Sequence, residues 1–260
     1  MVGPEILRAA GADVVVVSDS PDGRNINDGC GATVPSHVAA AVLQHGADVG
    51  VALDGDADRL IAVDHAGNVV DGDHIIAIVA NDLRAKGELR NDTVVVTVMT
   101  NLGFRLAMGE VGIEVIETAV GDRYVLEALA AGGHSLGGEQ SGHVIFSDHA
   151  TTGDGVLAAV ALLDAVHRSG RTLADLAADA MTSLPQVLVN VRVGQRVPDV
   201  TERLAADIAR VEAELGDHGR VLVRASGTEP LVRVMVEAPT GEAARAAADD
   251  LADAAHRHFG

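Results

Sequence analysis

Three carboxylates stand at alternate positions in one short run of the chain, Asp54-Gly55-Asp56-Ala57-Asp58-Arg59. The run follows an apolar stretch, residues 48–53, that is typical of a buried strand. Carboxylates on a tight turn can converge on one hard cation, because oxygen is the ligand atom that such cations prefer. The spacing therefore predicts a divalent metal site formed by Asp54, Asp56 and Asp58.

Three other interpretations of this run have to be weighed. An EF-hand loop begins with the same spacing, but its sixth and twelfth positions need Gly and Glu and here hold Arg59 and His65. A haloacid-dehalogenase phosphatase also uses Asp-x-Asp after a strand, with the first Asp as nucleophile, although the third Asp and the Arg are foreign to that pattern. An acidic turn in solvent is the remaining alternative.

A second loop of interest is Gly137-Gly138-Glu139-Gln140-Ser141-Gly142-His143. Paired glycines allow a ligand to approach the backbone closely. Glu139, Gln140 and Ser141 offer the mixture of acceptors and donors that sugar hydroxyls require. The loop predicts sugar binding, and an ordinary polar connection is the alternative.

A third loop, Arg224-Ala225-Ser226-Gly227-Thr228-Glu229-Pro230, lies between two predicted strands, with Arg233 just beyond it. Backbone N–H groups, two hydroxyls and two guanidiniums on an otherwise acidic chain form a nest suited to a phosphate group. A hairpin turn held by Ser226 and Thr228 is the alternative. Two further runs, residues 121–125 and 151–155, read first as helix starts, the first of them capped by Asp122.

Composition narrows the classes of function. The formal net charge is −19 for 260 residues, and this field repels nucleic acid and anionic membranes. Cys30 is the single cysteine, which excludes an intrachain disulfide and indicates a reducing compartment. The longest apolar stretch, residues 156–166, contains Asp164 and is too short to cross a bilayer. We expect a soluble, cytoplasmic protein with no nucleic acid or membrane partner.

Hydrophobic periodicity predicts an α/β protein whose cores consist of Val, Leu, Ile and Ala, because aromatic residues make up only 2% of the chain. In the first segment, continuous apolar strands predict a parallel sheet covered on both faces. Predicted strands cover residues 14–17, 48–53, 60–63, 93–99, 113–117, 187–193, 220–224 and 231–237. Predicted helices cover residues 4–10, 35–44, 73–84, 102–110, 153–168, 173–180, 200–215 and 241–258, with a further helix beginning at Asp122.

These elements predict three domains. Residues 1–70 would carry the metal loop, residues 71–183 the sugar loop, and residues 184–260 the phosphate loop. We expect two mixed α/β sheet domains followed by a small α+β domain. The first domain is expected to be incomplete, because no strand precedes the first helix and the chain thus starts part-way through a β-α unit.

The three loops, in this order and spacing, resemble those of the α-D-phosphohexomutase superfamily, and the resemblance covers the whole chain. Asp54 to Arg59 matches its metal loop, Gly138 to His143 its sugar loop, and Arg224 to Pro230 its phosphate loop. The form Gly-Glu-Gln-Ser-Gly-His is typical of the bacterial phosphoglucosamine mutase branch, since phosphomannomutases and phosphoglucomutases usually carry Met or another residue in place of Gln140.

The resemblance implies that glucosamine 6-phosphate and glucosamine 1-phosphate are interconverted through a bisphosphate, which supplies a precursor of UDP-N-acetylglucosamine and the bacterial cell wall. It implies a Mg²⁺ ion on the three aspartates and a phosphoserine as phosphoryl donor. Arg59 would lie near the transferring phosphoryl group, and Arg123 would face the phosphoserine. His143 would be either a proton shuttle or a structural histidine. The substrate would contact Glu139, Gln140, Ser141, Arg224, Ser226, Gly227, Thr228 and Arg233.

The serine loop of the family, roughly Thr-Ala-Ser-His-Asn-Pro, does not occur in these residues. Ser36-His37 is the only Ser-His pair, and it is expected to begin a helix. We therefore expect a truncated chain that needs the missing phosphoserine domain for activity. The rival hypotheses are a module that binds sugar phosphate or metal without chemistry, a phosphatase with Asp54 as nucleophile, and specificity for phosphomannose or phosphoglucose.

Overall fold

The computed structural model describes residues 2–226 and 229–260, which fold as two compact units. Of the described residues, those in 2–100 and 104–182 form the first unit, and those in 101–103, 183–226 and 229–260 form the second. The helices are α1 (Val2–Ala9), α2 (Pro35–His45), α3 (Gly72–Lys86), α4 (Leu102–Glu110), α5 (Asp122–Gly132), α6 (Gly155–Ser169), α7 (Leu173–Ala180), α8 (Val200–Arg203), α9 (Ala205–Leu215) and α10 (Gly241–Phe259). The strands are β1 (Val49–Leu53), β2 (Leu60–Asp64), β3 (Val69–Val70), β4 (Thr93–Thr97), β5 (Glu114–Thr118), β6 (Leu136–Gly138), β7 (Val144–Phe146), β8 (Gln186–Arg192), β9 (Arg220–Ala225) and β10 (Leu231–Glu237).

The first sheet of the first unit is an antiparallel meander in the order β1-β2-β3. The parallel sheet predicted for this segment is therefore wrong. Only residues 54–59 join β1 to β2, and a parallel pair needs a crossover of a dozen or more residues. The short connection instead reverses the chain, so that Leu53 pairs with Leu60 and both ends of the metal loop meet.

The strand predicted for residues 14–17 is also wrong, because this stretch has no regular secondary structure in the described chain. Val15 and Val17 are exposed. A strand requires a neighbouring ladder to satisfy its backbone groups. Apolar residues alone therefore did not specify a strand here.

The second sheet of the first unit has the order β5-β4-β6-β7 and mixes parallel and antiparallel pairs. Its central strand β4 is buried throughout, as expected for a strand covered on both faces. Helix α3 packs in the same core through Ile75 and Ile76. This helix begins at the Asp71 cap, which accepts a hydrogen bond from the His74 N–H, and it ends at Gly87 in the left-handed region.

The second unit has an antiparallel sheet in the order β8-β10-β9, and residues of α9 and α10 share a core with its alternate valines. The helix predicted over residues 200–215 is divided at Leu204, a fully buried residue with φ −99° and ψ 9°. The predicted mixed α/β architecture, with a small α+β region at the C-terminal end, is confirmed. No helix among the described residues is long and apolar enough to cross a membrane.

Candidate functional site

The metal loop is the connection between β1 and β2. Its turn is tight: Ala57 has a φ of 60°, and its N–H donates to the Asp54 carbonyl over 3.2 Å. The Arg59 N–H donates to Asp54 Oδ1 over 3.1 Å, which holds that side chain over the turn. One carboxylate oxygen from each of Asp54, Asp56 and Asp58 lies within 4.8 Å of the others. The structure thus brings the three predicted ligands together.

The chemistry of these oxygens fits a hard cation such as Mg²⁺. Asp58 Oδ1 is buried and has no hydrogen-bond partner among the described residues. The Arg59 Nε atom lies 3.9 Å from Asp54 Oδ2 and 4.0 Å from Asp58 Oδ1, too far for hydrogen bonds. A buried carboxylate oxygen without a donor is stabilised when a cation binds it, and three carboxylates supply the oxygen ligands that Mg²⁺ prefers.

The start of α6 supports the metal loop from behind. The Gly155 N–H donates to the Ala57 carbonyl over 2.9 Å. A Cβ atom at Gly155 would lie 2.7 Å from the Arg59 carbonyl oxygen, so only glycine allows this approach. Asp154 caps the helix by accepting from Val156 and Leu157. Sequence reasoning treated residues 151–155 only as a helix start, and the signal it missed was a glycine on each side of the capping Asp154.

The sugar loop joins β6 to β7 and is bonded to two neighbouring elements. The Leu60 N–H donates to the Gly142 carbonyl, and the Gly72 N–H donates to the Gln140 carbonyl, each over 3.0 Å. Gly142 has a φ of 94°, and a Cβ atom there would lie 2.1 Å from the Leu60 carbonyl oxygen. The loop is therefore held against the beginning of β2 and the beginning of α3.

His143 connects the sugar loop to the metal loop. It is 2% exposed, and its Nε2 accepts the Gly153 N–H over 3.1 Å. The proton of the neutral ring must then lie on Nδ1, which donates to Asp58 Oδ2 over 3.0 Å. Both ring nitrogens are thus engaged with protein groups. The shuttle role of His143 stays a prediction, and this arrangement favours the structural alternative.

A cavity of about 420 Å³ opens beside the sugar loop. Glu139 Oε1 accepts the Gly121 N–H over 3.0 Å, so one oxygen of this carboxylate is fixed by the start of α5. Asp71 contributes a second carboxylate that sequence reasoning did not single out. The lining residues are Asp71, Thr97, Met99, Val120, Glu139, Gln140 and Ser141.

Arg123 is a predicted site residue that the structure does not bring to this cluster. Its side chain is 80% exposed, and Nε lies 2.7 Å from Glu127 Oε1, one turn along α5. No contact between Arg123 and the metal loop is found in the part of the chain that the structure describes. Its predicted role toward the phosphoserine stays a prediction.

The phosphate loop belongs to the second unit. Gly227 and Thr228 lie outside the described residues. Ser226 is 3% exposed, and its Oγ atom accepts the Glu229 N–H at 3.4 Å. Arg224 and Arg233 face each other across the β9–β10 pair. Like charges at directly opposed positions destabilise a sheet, and Arg233 Nε is buried with no hydrogen-bond partner among the described residues, so the pair is suited to an anion.

Comparison with known proteins identifies the family of this chain. Residues 71–184 match the family model described as phosphoglucomutase/phosphomannomutase, alpha/beta/alpha domain III. Residues 188–254 match the model described as phosphoglucomutase/phosphomannomutase, C-terminal domain. The chain belongs to the phosphoglucomutase/phosphomannomutase family, as its three loops indicate.

Individual relatives show which members of this family the chain is similar to. The chain is 60% identical over 253 residues to the phosphoglucosamine mutase of Thermobifida fusca and 61% identical over 252 residues to that of Frankia casuarinae, covering 97% and 96% of this chain. It spans 56% and 55% of the length of these two relatives. The fold is similar to that of Aspergillus fumigatus N-acetylphosphoglucosamine mutase in complex with GlcNAc-6P and magnesium, with a TM-score of 0.75 at 24% identity, covering 100% of this chain and 60% of the other.

Proposed function

We propose that this chain acts in the interconversion of glucosamine 6-phosphate and glucosamine 1-phosphate, as the part of a phosphoglucosamine mutase that binds metal, sugar and one phosphate. The observation that carries the proposal is the carboxylate cluster of the metal loop, hydrogen-bonded through His143 to the sugar loop. The 60% identity to phosphoglucosamine mutases supports a hexosamine phosphate as substrate. The reaction would take place in the cytoplasm and supply a cell-wall precursor.

Each loop has a role in this proposal. Asp54, Asp56 and Asp58 hold Mg²⁺, which when bound offsets negative charge on a transferring phosphoryl group. Arg59 adds positive charge beside the same group. The sugar loop binds hydroxyls in both orientations of a bisphosphate intermediate, through Glu139, Gln140 and Ser141. The phosphate that is not reacting is bound by Arg224, Ser226, Gly227, Thr228 and Arg233.

The phosphoryl donor is a separate part of the proposal. The family's serine loop does not occur among these 260 residues, so we propose that the chain does not turn over by itself. We also propose that residues 1–70, 71–183 and 184–260 are the three functional domains, each with one loop.

The test is isomerisation of glucosamine 6-phosphate with Mg²⁺ and a trace of the 1,6-bisphosphate. The chain is assayed alone and then with a separately produced segment of a relative that carries the serine loop. No turnover alone and turnover on mixing is the expected result. Turnover by the chain alone would refute the donor proposal. Binding without isomerisation, even on mixing, would show a non-catalytic binding module instead.

A further inference from the structure

The cavity beside the sugar loop contains one carboxylate more than Glu139, which the proposed function assigns to sugar hydroxyls. Two of its seven lining residues, Asp71 and Glu139, are carboxylates, and none is Lys, Arg or His. Met99 and Val120 supply apolar surface, and Thr97 and Ser141 supply hydroxyls. A phosphorylated substrate is an anion, so these carboxylates repel its phosphate and favour a cationic group.

Each of the two carboxylates has one oxygen held by a backbone N–H, and the proposed function already assigns Glu139 to the sugar hydroxyls. Glu139 Oε1 accepts the Gly121 N–H at 3.0 Å. Asp71 Oδ1 is engaged by the N–H of His74 at 3.2 Å and by its Nδ1 at 2.8 Å. Asp71 Oδ2 has only the Gln140 side-chain amide, at 3.5 Å. That distance is at the limit for a hydrogen bond, so Oδ2 retains capacity for a stronger donor.

We propose that Asp71 determines substrate specificity by binding the ammonium group of a free amino sugar phosphate. This rests on the proposed function and names the residue that distinguishes the substrate. An ammonium group has three N–H donors, which can bond to the Asp71 carboxylate and to the hydroxyl and amide oxygens of Thr97, Ser141 and Gln140 beside it. Its bond to the carboxylate is charge-assisted and therefore stronger than a neutral hydrogen bond. His74 fixes the carboxylate through Oδ1 and leaves Oδ2 directed at the amide on the cavity wall.

The same arrangement disfavours two close analogues. A 2-hydroxyl carries no charge, so glucose 6-phosphate gains a hydrogen bond to the Asp71 carboxylate but no ion pair with it. An N-acetyl group also carries no charge, and it adds bulk beside Met99 and Val120. Asp71 therefore selects the free amine over both the hydroxyl and the acetylated amine.

The test compares calorimetric affinities of the chain for glucosamine 6-phosphate, glucose 6-phosphate and N-acetylglucosamine 6-phosphate. The unmodified chain should bind the free amine at least about tenfold more tightly than glucose 6-phosphate. Asp71→Asn should remove most of this preference by weakening the amine complex about tenfold, with little change for glucose 6-phosphate. Asparagine is also a good helix cap, so α3 should remain intact, which circular dichroism checks.

Asp249→Asn is the matched control, since it removes an exposed carboxylate of α10 that is absent from the cavity lining. It should leave all three affinities unchanged. An unchanged preference in Asp71→Asn, or an equal loss for all three ligands, would overturn the role of Asp71. A chain that isomerises on mixing but shows no preference for the amine would refute this inference and leave the proposed function standing. Failure to bind any of the three would count against both.

Discussion

His143 and Asp58 are joined by a hydrogen bond of 3.0 Å in which the imidazole Nδ1 donates to Asp58 Oδ2. The direction of this bond is fixed by a backbone group, because the Gly153 N–H occupies Nε2. Asp58 Oδ2 is therefore engaged, whereas its other oxygen, the buried Oδ1, has no hydrogen-bond partner among the described residues. His143 thus orients one of the predicted ligands of the metal loop.

This arrangement predicts that His143 contributes to Mg²⁺ affinity. His143→Leu removes the donor to Asp58 and should weaken Mg²⁺ binding about 10- to 100-fold, as loss of a group that orients a ligand does. His143→Asn retains an N–H donor and should recover part of the affinity. The measurement is titration calorimetry with Mg²⁺ alone. His167→Asn, at an exposed site on α6, serves as the control. Equal affinity in His143→Leu and the unmodified chain would contradict the prediction.

Arg224 and Arg233 oppose each other in the sheet of the second unit. We expect their replacement to have opposite effects on stability and on phosphate binding. Arg224→Gln and Arg233→Gln each remove one of two like charges, so the free energy of unfolding should stay the same or rise by up to about 1 kcal/mol. Binding of inorganic phosphate should fall about tenfold in either variant, since a charged hydrogen bond is lost. Chemical denaturation and calorimetry measure the two effects.

Arg245→Gln provides the comparison, because this arginine pairs with Asp249 on the exposed side of α10. It should not change phosphate binding. Phosphate affinity that fell equally in Arg245→Gln would indicate a general effect of net charge and would argue against a site at Arg224 and Arg233.

Gly142 predicts a steric effect on stability. Gly142→Ala would place a Cβ atom 2.1 Å from the Leu60 carbonyl oxygen and also strain a φ of 94°. We expect a loss of at least about 2 kcal/mol in the free energy of unfolding. Gly87→Ala is matched, since Gly87 also has a positive φ of 72° but no atom within 4 Å of the added Cβ. It should cost about 1 kcal/mol, from conformation alone. Equal losses would show that the contact with Leu60 is unimportant.

Asp64 predicts a dependence of stability on pH. Burial raises the pKa of its carboxyl, but hydrogen bonds from the side chain and backbone of Asn68 and from the Ala66 N–H together lower the net pKa below the ordinary 3.8. Because the folded pKa is the lower one, this stabilisation is present above pH 3.8 and is lost as the pH falls through the folded value.

Asp64→Asn should therefore lower the free energy of unfolding at neutral pH by about 1–3 kcal/mol. The difference from the unmodified chain should shrink below pH 3.8. Denaturation at a series of pH values tests this, with the exposed Asp253→Asn as control. A difference that stayed constant across the acid range would contradict the linkage.

The loops were more predictable than the connections that support them. Asp54, Asp56 and Asp58 stand two residues apart on a turn, so their convergence follows from local geometry. The backing of this loop by Gly155 and the burial of His143 depend on elements that come together only in the folded unit. The error at residues 14–17 has the same origin, because a strand needs a partner that an apolar pattern cannot provide.

The direction of the first sheet was missed for a different reason. Continuous apolar strands are typical of parallel sheets, but the six residues from 54 to 59 leave no room for a crossover. The length of the connection was therefore a better guide to the relative direction of β1 and β2 than the composition of the strands. Asp71 was missed because a carboxylate before a helix is ordinarily just a cap, and only the cavity distinguishes it from Asp154 or other caps.

The backbone bonds from Leu60 and Gly72 to the sugar loop limit how this protein can be altered. An insertion or deletion between residues 139 and 142 would displace the start of β2, and with it the turn that carries the aspartates. Changes in the length of the sugar loop are therefore expected to abolish function, even where the new loop could bind another sugar. New specificity would have to arise, in nature or in the laboratory, by exchanging side chains on an unchanged backbone.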